Sequence, residues 1–205
     1  MTSELDHLFI FIDPAGPAIA DLAAFGLTES YRRRHPGQGT QNVCYRLDNA
    51  YLELLWVDDP AAVDSALVAP TGLGPRSRWR SAGTCPFGIA LQGGTAPPFA
   101  TWPYRPPYLP PQIPEIAMAA GSDDARGPLF FVSPGGGAPG QDFQARLGWR
   151  RITGLTLAGP DADLPALPWL RGVQAPAWHA TLEIDGGAQG RQHDFGPALP
   201  LTVRC

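Results

Sequence analysis

The first sixty residues constrain the fold most, because their apolar runs are short and turn signals separate them. Leu5 to Ile12 is an apolar, partly β-branched run, and a short Ala/Leu-rich segment from Pro17 to Phe25 ends at a glycine. Extended patterns then cover Thr28 to Arg33, Asn42 to Leu47 and Tyr51 to Val57. This order predicts one strand, one helix and three further strands, a βαβββ unit.

Later segments repeat the pattern more weakly. Strands are predicted at Pro86 to Leu91 and Pro128 to Val132, and again at Ile152 to Ala158, where a short helix from Pro160 toward Leu170 follows. Two last strands are predicted over Ala180 to Asp185 and Leu199 to Arg204. We therefore expect a single domain over residues 1–205, with modules at about 1–60, 82–134 and 150–205 and linkers at 61–81 and 135–149.

Composition excludes several classes of protein. With 44% hydrophobic residues, the chain has enough apolar surface for a real core. A net charge of −4 argues against nucleic-acid binding, which needs a concentrated positive surface. No run of about 18 apolar residues is present, and no signal peptide is recognisable. We expect a cytoplasmic protein that binds neither nucleic acid nor membrane.

Two predicted strands each carry one polar, metal-competent residue on an otherwise apolar row, namely His7 and Glu53. Side chains alternate along a strand, so His7 shares a face with Leu5, Phe9 and Phe11, while Glu53 shares one with Tyr51, Leu55 and Val57. A buried carboxylate needs a partner, because an unpaired charge costs several kcal/mol or forces the group to become neutral. Glu53 should therefore meet His7, a cation, an arginine or water in a cleft.

The segment from Thr101 to Pro114 has six prolines in fourteen residues, interleaved with aromatic side chains. Proline lacks the backbone donor that helices and central strands require. We predict an ordered loop that packs its aromatic residues against the sheet and roofs a cleft. The alternative is a polyproline segment offered to a partner.

Three stretches make the chain resemble the vicinal oxygen chelate superfamily, and within it the glyoxalase-like domain proteins. They are Leu5-Asp6-His7-Leu8, the loop His35-Pro36-Gly37-Gln38-Gly39-Thr40 followed by Asn42, and Tyr51-Leu52-Glu53-Leu54. The resemblance implies an α+β fold of repeated βαβββ modules, whose curled mixed sheets form an open cleft of the glyoxalase/bleomycin-resistance kind. It also implies a divalent metal held by the first and fourth strands of a module, here by His7 and Glu53.

The second half of such a site differs from the superfamily pattern. Aligning the later strands with the first module puts Gly88 at the position of His7 and Phe130 at that of Glu53. Neither can bind a metal through its side chain, and Zn²⁺, Ni²⁺, Mn²⁺ or Fe²⁺ each need more than two protein donors. Candidates for a third donor are His35, which its loop position favours, and Glu115, His179, Glu183 and His193.

Three hypotheses follow. In the first, the cleft binds a small molecule without chemistry. In the second, His7 and Glu53 hold a divalent metal in a lyase, isomerase or dioxygenase acting on vicinal oxygens, with Glu53 as the catalytic group. In the third, the two residues are a satisfied structural pair. Under either of the first two, the expected substrate-binding residues are His35, Gln38, Asn42, Arg34, Trp79, Trp102 and Tyr104. Pairing of two identical chains is left open.

Overall fold

Two mixed β-sheets organise the chain, and the larger one carries the candidate site. The computed structural model describes residues 3–94, 96–135 and 143–205. The strands are β1 Leu5–Phe11, β2 Tyr31–His35, β3 Thr40–Arg46, β4 Tyr51–Val57, β5 Phe87–Gln92, β6 Thr101–Tyr104, β7 Ile116–Ala119, β8 Leu129–Ser133, β9 Ile152–Gly159, β10 Leu170–Gln174, β11 His179–Ile184, β12 Gln192–Asp194 and β13 Leu201–Arg204. The helices are α1 Ala18–Phe25, α2 Pro60–Val63, α3 Leu73–Ser77 and α4 Trp79–Ala82, with short 3₁₀ turns at Ala69–Thr71, Ala145–Leu147, Asp185–Gly187 and Gly196–Ala198.

The eight-stranded sheet has a two-fold pattern. Its strand order is β2-β3-β4-β1-β5-β8-β7-β6, so β1 and β5 lie at the centre as an antiparallel pair. Each has a parallel partner on its outer side, β4 beside β1 and β8 beside β5. Antiparallel strands complete both halves. Two four-stranded units thus meet at the β1–β5 pair, as expected for paired modules of an α+β fold.

A helix follows the first strand in one of these halves. Helix α1 crosses from β1 to β2 and buries Ala18 and Leu22 against the sheet. It ends at Gly26, whose φ of 114° is a left-handed conformation and whose N–H bonds back to the carbonyls of Leu22 and Ala23. In the second half, the described residues between β5 and β6 form turns and bends. The sheet topology is repeated there, whereas the helix is not.

The two faces of the large sheet have different partners. One face packs against α1 and the second sheet, and it contributes alternate residues such as Leu8, Ile10 and Leu54 to the main core. The other face, which we call the cleft face, carries Phe9 and Phe131 among others and packs against residues 63–73. The period of two along each strand therefore divides the sheet into a buried structural face and a cleft face.

The second sheet has the order β10-β9-β11-β13-β12. Its central pair, β9 and β11, is antiparallel, and each has a parallel outer partner, as in the large sheet. The helix predicted from Pro160 toward Leu170 is wrong: residues 162–167 have no regular structure. Prolines at 160, 165 and 168 prevent continuous helical hydrogen bonding in so short a segment.

A buried arginine fixes the segment that closes one end of the cleft. Arg76, on α3, is 1% exposed, and its guanidinium donates to four carbonyl oxygens, those of Gly72, Ser122, Asp124 and Gly127. Burial lowers the pKa of Arg76 to about 10, so it remains charged at pH 7. The segment containing α2 to α4 is thereby tied to the loop before β8 and held against the cleft face.

In the described part of the chain, no helix has the length and apolar character needed to cross a membrane.

Candidate functional site

A cavity of about 390 Å³ opens on the cleft face between the two halves of the large sheet. Its apolar surface comes from both halves and from the segment after β4, through Phe9, Leu55, Leu73, Met118, Leu129 and Phe131. Its polar surface is concentrated on the first half, through His7, Arg33, His35, Gln38, Asn42 and Glu53. The cavity therefore has an apolar side and a polar side.

A β-bulge positions the histidine. The β1–β5 pairing shifts between Leu5 and His7, so that Asp6 is an extra residue on β1. Strict alternation would place Asp6 and His7 on opposite faces, yet Asp6 Oδ1 lies 2.6 Å from His7 Nδ1. Leu5 joins the main core on the opposite face, so the expectation that it shares a face with His7 is wrong. The bulge is the physical reason.

His7 is held from several sides. Its ring stacks on Tyr51, with centroids 4.4 Å apart and planes inclined by 20°, and it meets Phe131 edge-on. An ionised carboxylate only accepts hydrogen bonds, so the Asp6 contact assigns the Nδ1 proton to His7 and directs Nε2 at the cleft. His7 Nε2 lies 3.3 Å from Glu53 Oε2. One proton between these two atoms would satisfy both.

Glu53 is 6% exposed, and its second oxygen is also bound. Asn42 Nδ2 donates to Glu53 Oε1 at 2.7 Å, and Asn42 Oδ1 accepts from the backbone N–H of Arg33 at 2.9 Å. Burial raises the pKa of Glu53 above its usual range, against the opposing effects of His7 and of the Asn42 hydrogen bond. His7 and Glu53 are therefore a buried polar pair, held in place by Asp6 on one side and Asn42 on the other.

The second half of the sheet has no equivalent of His7. The β1–β5 ladder pairs His7 with Ala90 and Phe9 with Gly88. The Leu8–Ile89 pair lies between these two pairs. A two-fold rotation about its midpoint exchanges His7 with Gly88 and Phe9 with Ala90. Gly88 thus stands at the counterpart of His7, and any Cβ there would overlap the ring of Phe9. An aromatic ring occupies the volume that a second histidine would need.

The counterpart of Glu53 is Phe131 rather than the predicted Phe130. Glu53 pairs with Phe9 across β1 and β4, and Phe131 pairs with Ala90 across β5 and β8. Phe131 belongs to the cluster on the cleft face, whereas Phe130 packs into the main core on the opposite face. The prediction was displaced by one residue, which in a strand changes the face.

The residues present do not fit a divalent-metal site of the usual kind. Among residues 3–94, 96–135 and 143–205, no group of three or more His, Cys, Asp or Glu side chains could share an ion. The proposed third donors have other partners. His35 lies within hydrogen-bond distance of Thr40, Glu115 pairs with Arg105, His179 with Thr202 and Glu183 with Thr153, and His193 packs against Phe25. Zn²⁺ normally takes three or four protein donors.

The loop after β2 forms the polar wall of the cavity. His35 Nδ1 lies 2.9 Å from Thr40 Oγ1, and Gln38 Nε2 donates to the same oxygen at 2.9 Å. Tyr104 donates its hydroxyl to Gln38 Oε1 at 3.2 Å. These contacts link the loop to β6 in the other half of the sheet.

The proline-rich segment covers the cavity from one side, through Tyr108, Leu109, Pro110 and Ile113. Tyr108 stacks on His35 with centroids 4.5 Å apart, and the Arg33 guanidinium carbon lies 4.8 Å from the centre of the Tyr108 ring. Arg105 Nε lies 3.4 Å from Glu115 Oε1 at the base of the segment. The segment is an ordered wall of the cleft.

Three predicted substrate-binding residues lie outside the cavity lining. Arg34 is exposed and pairs with Asp58 at 2.7 Å. Trp79 donates its indole N–H to the carbonyl of Phe11, and Trp102 donates to Ser122 beside a separate shallow depression. His35, Gln38, Asn42 and Tyr104 do line the cavity, together with His7 and Glu53.

Sequence reasoning assigned no specific role to five residues around the polar side, namely Asp6, Tyr31, Arg33, Tyr51 and Tyr108. An acidic residue directly before His7 in an apolar run was a usable signal for Asp6, because a carboxylate there must find a partner. The position of Tyr51 two residues before Glu53 on the same strand was another. Tyr108 belongs to the proline-rich segment predicted to roof the cleft, but that pattern does not distinguish it from the other aromatic residues there. Nothing in the sequence separates Arg33 from its two neighbours.

Comparison with known proteins agrees with this geometry. The family described as a glyoxalase-like domain matches residues 5–104. Comparison with curated proteins gave no significant match. A hypothetical protein from Staphylococcus aureus has the same overall fold, with a TM-score of 0.51 and 11% identity over 99% of each chain.

Two further solved structures align less closely. A hypothetical protein from Bacillus halodurans is 14% identical over 64% of this chain and 94% of its own, with a TM-score of 0.41. A methylmalonyl-CoA epimerase of Streptomyces coelicolor, in complex with 2-nitronate-propionyl-CoA, is 15% identical over 65% of this chain and 99% of its own, with a TM-score of 0.43. The family match and the paired half-sheets lead to one conclusion: residues 5–104 match a glyoxalase-like domain, as found in the vicinal oxygen chelate superfamily.

Proposed function

We propose that the cleft binds a small organic molecule without a resident metal ion. The observation that supports this is the composition of the cavity, which is apolar on one side and carries a few convergent polar groups on the other. Sites for small molecules have this composition and volumes of about 300–1,000 Å³. The cavity, at about 390 Å³, falls within that range.

The lining suggests how a ligand would be oriented. Its apolar part would lie against Phe9, Met118 and Phe131, where burial of apolar surface provides the driving force. Its polar atoms would meet the side chains of His7 and Glu53, both of which line the cavity and can form hydrogen bonds with a ligand. The network behind these two residues holds them in place before a ligand arrives, so little ordering is needed on binding.

Binding can be tested by calorimetry and thermal shift with a panel of neutral and ionised aromatic compounds. Phe131→Gln should weaken the binding of apolar probes about tenfold or more, because it puts an amide on the apolar side of the cavity. Val173→Gln is the matched control, since Val173 is an exposed apolar residue on β10 outside the cavity. Equal affinities for the two variants would contradict binding in this cleft.

Metal-dependent lyase, isomerase or dioxygenase activity is the alternative that His7 and Glu53 suggested from sequence. The donor set argues against it, because Gly88 and Phe131 stand where the second half of a metal site would be. Titration with Zn²⁺, Ni²⁺, Mn²⁺ and Fe²⁺ tests this directly. Stoichiometric binding that is lost in both His7→Ala and Glu53→Ala would overturn the metal-free part of the proposal.

The structural alternative gives a different result. If His7 and Glu53 serve only as a satisfied core pair, their replacement lowers the melting temperature without any ligand effect. Under the proposed function, Glu53→Gln, which keeps the size of the side chain, changes ligand affinity while the melting temperature stays close to that of the parent. Measuring both quantities on the same variant separates the two roles.

A further inference from the structure

Three consecutive arginines on β2 have different surroundings. Arg32 Nε lies 2.7 Å from Glu29 Oε1, and Arg34 Nε lies 2.7 Å from Asp58 Oδ2. Within the part of the chain that the structure describes, no carboxylate pairs with the guanidinium of Arg33. Arg33 is also the arginine of the three that lines the cavity.

Strand alternation accounts for this difference. Tyr31, Arg33 and His35 occupy alternate positions of β2 and all line the cavity. The guanidinium of Arg33 lies over the ring of Tyr108, with its central carbon 4.8 Å from the ring centre. A cation–π contact of this kind does not occupy all five N–H groups of the guanidinium, so some are left for another partner.

The two rings next to Arg33 do not neutralise it. Burial, followed by the charge of Arg33, lowers the pKa of His35 to about 4. Burial, followed by the charge of Glu53, raises the pKa of Tyr108 well above its usual range. Both rings are therefore uncharged at pH 7. Arg33 is thus an exposed cation at the rim of the cavity, with uncharged rings beside it on its own wall. This arrangement favours an anionic ligand.

We infer that the ligand of this cleft is an organic acid, a carboxylate on an apolar body, and that Arg33 selects for its charge. The inference rests on the proposed function, since it concerns the same cavity. A guanidinium binds a carboxylate through two parallel N–H···O bonds. The apolar body then lies toward Phe9 and Phe131. Arg33 is thus a specificity-determining residue that Arg34, its neighbour, cannot replace.

The test uses two probes of nearly equal size, 2-naphthoate and its neutral amide, 2-naphthamide. Their affinities are measured by calorimetry for the parent protein, Arg33→Gln, Arg33→Lys and Arg34→Gln. The parent and Arg34→Gln should bind the acid at least tenfold more tightly than the amide, because a charge-assisted hydrogen bond contributes about this much. Arg33→Gln should bring the ratio close to one.

The remaining measurements distinguish charge selection from loop support. Arg33→Lys keeps the charge without the planar fork, so it should keep part of the preference. Affinity for 2-naphthoate should fall with added NaCl in the parent and change little in Arg33→Gln. Circular dichroism and melting curves confirm that each variant is folded.

Several outcomes would overturn the inference. One is a parent protein that binds the amide as tightly as the acid. Another is an Arg33→Gln variant that loses affinity for both probes by the same factor, which would make Arg33 a support for Tyr108 only. If neither probe binds the parent, and none of the wider panel of aromatic compounds does, the proposed function itself fails. If neutral compounds bind and acids do not, the inference alone fails.

Discussion

The two halves of the eight-stranded sheet have the same topology and opposite chemistry on the cleft face. The first half presents His7 and Glu53, supported by Asp6 and Asn42. The second half presents Gly88, Ala90, Leu129 and Phe131 at the facing positions of its two central strands. The backbone pairing of the strands therefore stays the same whether the side chains on one face are polar or apolar, provided that each polar group has a partner.

The difference in polarity between the two halves also determines how the side chains on each side of the cleft are held. On the polar side, each buried group is held by another group of the chain, so the side chains are oriented in advance. On the apolar side, the ring of Phe9 covers Gly88 and packs near Phe131, with ring centroids 6.2 Å apart. The positions equivalent to His7 and Glu53 therefore form part of an aromatic and apolar surface, as the proposed binding of an organic ligand requires.

The largest expected effect tests the apolar half. Gly88→Ala should lower the free energy of unfolding by about 3 kcal/mol, because the new methyl group overlaps the ring of Phe9 in a closely packed region. Urea denaturation measures the change. Combining it with Phe9→Leu should recover a large share of that loss, because the smaller side chain makes room. Gly127→Ala, where a Cβ meets nothing closer than 3.8 Å, is the control, and an equal loss there would contradict the steric explanation.

The next effect concerns a histidine of the polar half. The pKa of His35 is about 4 in the folded protein, below the ordinary value of 6.5, because burial disfavours its charged form. The unfolded chain therefore binds a proton more readily between these values. Stability should be unaffected by this group above pH 6.5 and should fall by roughly 2–3 kcal/mol as the pH drops toward 4.

The measurement compares unfolding free energies of the parent and His35→Phe from pH 7.5 to 4.5. Phenylalanine keeps the stack on Tyr108 and cannot titrate. Other titrating groups, Glu53 included, are common to both proteins and cancel in the difference. Parallel stability curves over this range would show that His35 already titrates normally in the folded state.

A smaller effect distinguishes hydrogen bonding from charge at Glu53. Glu53→Ala should cost about 1–3 kcal/mol, because it leaves Asn42 Nδ2 and His7 Nε2 without partners in a buried place. Glu53→Gln should stay within about 1 kcal/mol of the parent, since its amide can accept from Asn42 and donate to His7. Thermal and urea unfolding at pH 7 give both values. A larger loss for the glutamine variant would mean that the negative charge is itself required.

The smallest expected effect on stability concerns Arg34, at the surface of the polar half. Arg34→Gln should change the free energy of unfolding by less than about 0.5 kcal/mol, because the Arg34 side chain of its pair with Asp58 is 72% exposed and solvent screens the pair. Urea denaturation at low and high salt measures this. A loss above about 1 kcal/mol would show that the pair fixes the outer edge of the polar half.

Much of the large sheet and half of the polar side could be predicted from the sequence. The βαβββ pattern is local, and a polar residue on an apolar strand row needs a partner, so His7 and Glu53 were identified together. Two of the errors were shifts by one residue along a strand. Phe130 was chosen instead of Phe131, and Arg34 instead of Arg33. Because strand alternation has a period of two, a shift of one residue changes the face.

The remaining differences have non-local causes. A bulge that adds Asp6 to the site depends on the pairing of β1 with β5, which the sequence of β1 alone does not specify. The tryptophans were chosen by composition, yet their indole N–H groups are bound to Phe11 and Ser122 outside the cavity. Aromatic content predicts a hydrophobic surface and leaves its direction open.

The joining of both half-sheets in one polypeptide has a consequence for stoichiometry. Residues of β1, β4 and β8 that line the cavity belong to the same chain, so each chain carries its own cleft. Saturation should therefore reach one ligand per polypeptide. Dilution of the protein should leave the dissociation constant unchanged, whatever contacts the chain makes with other copies.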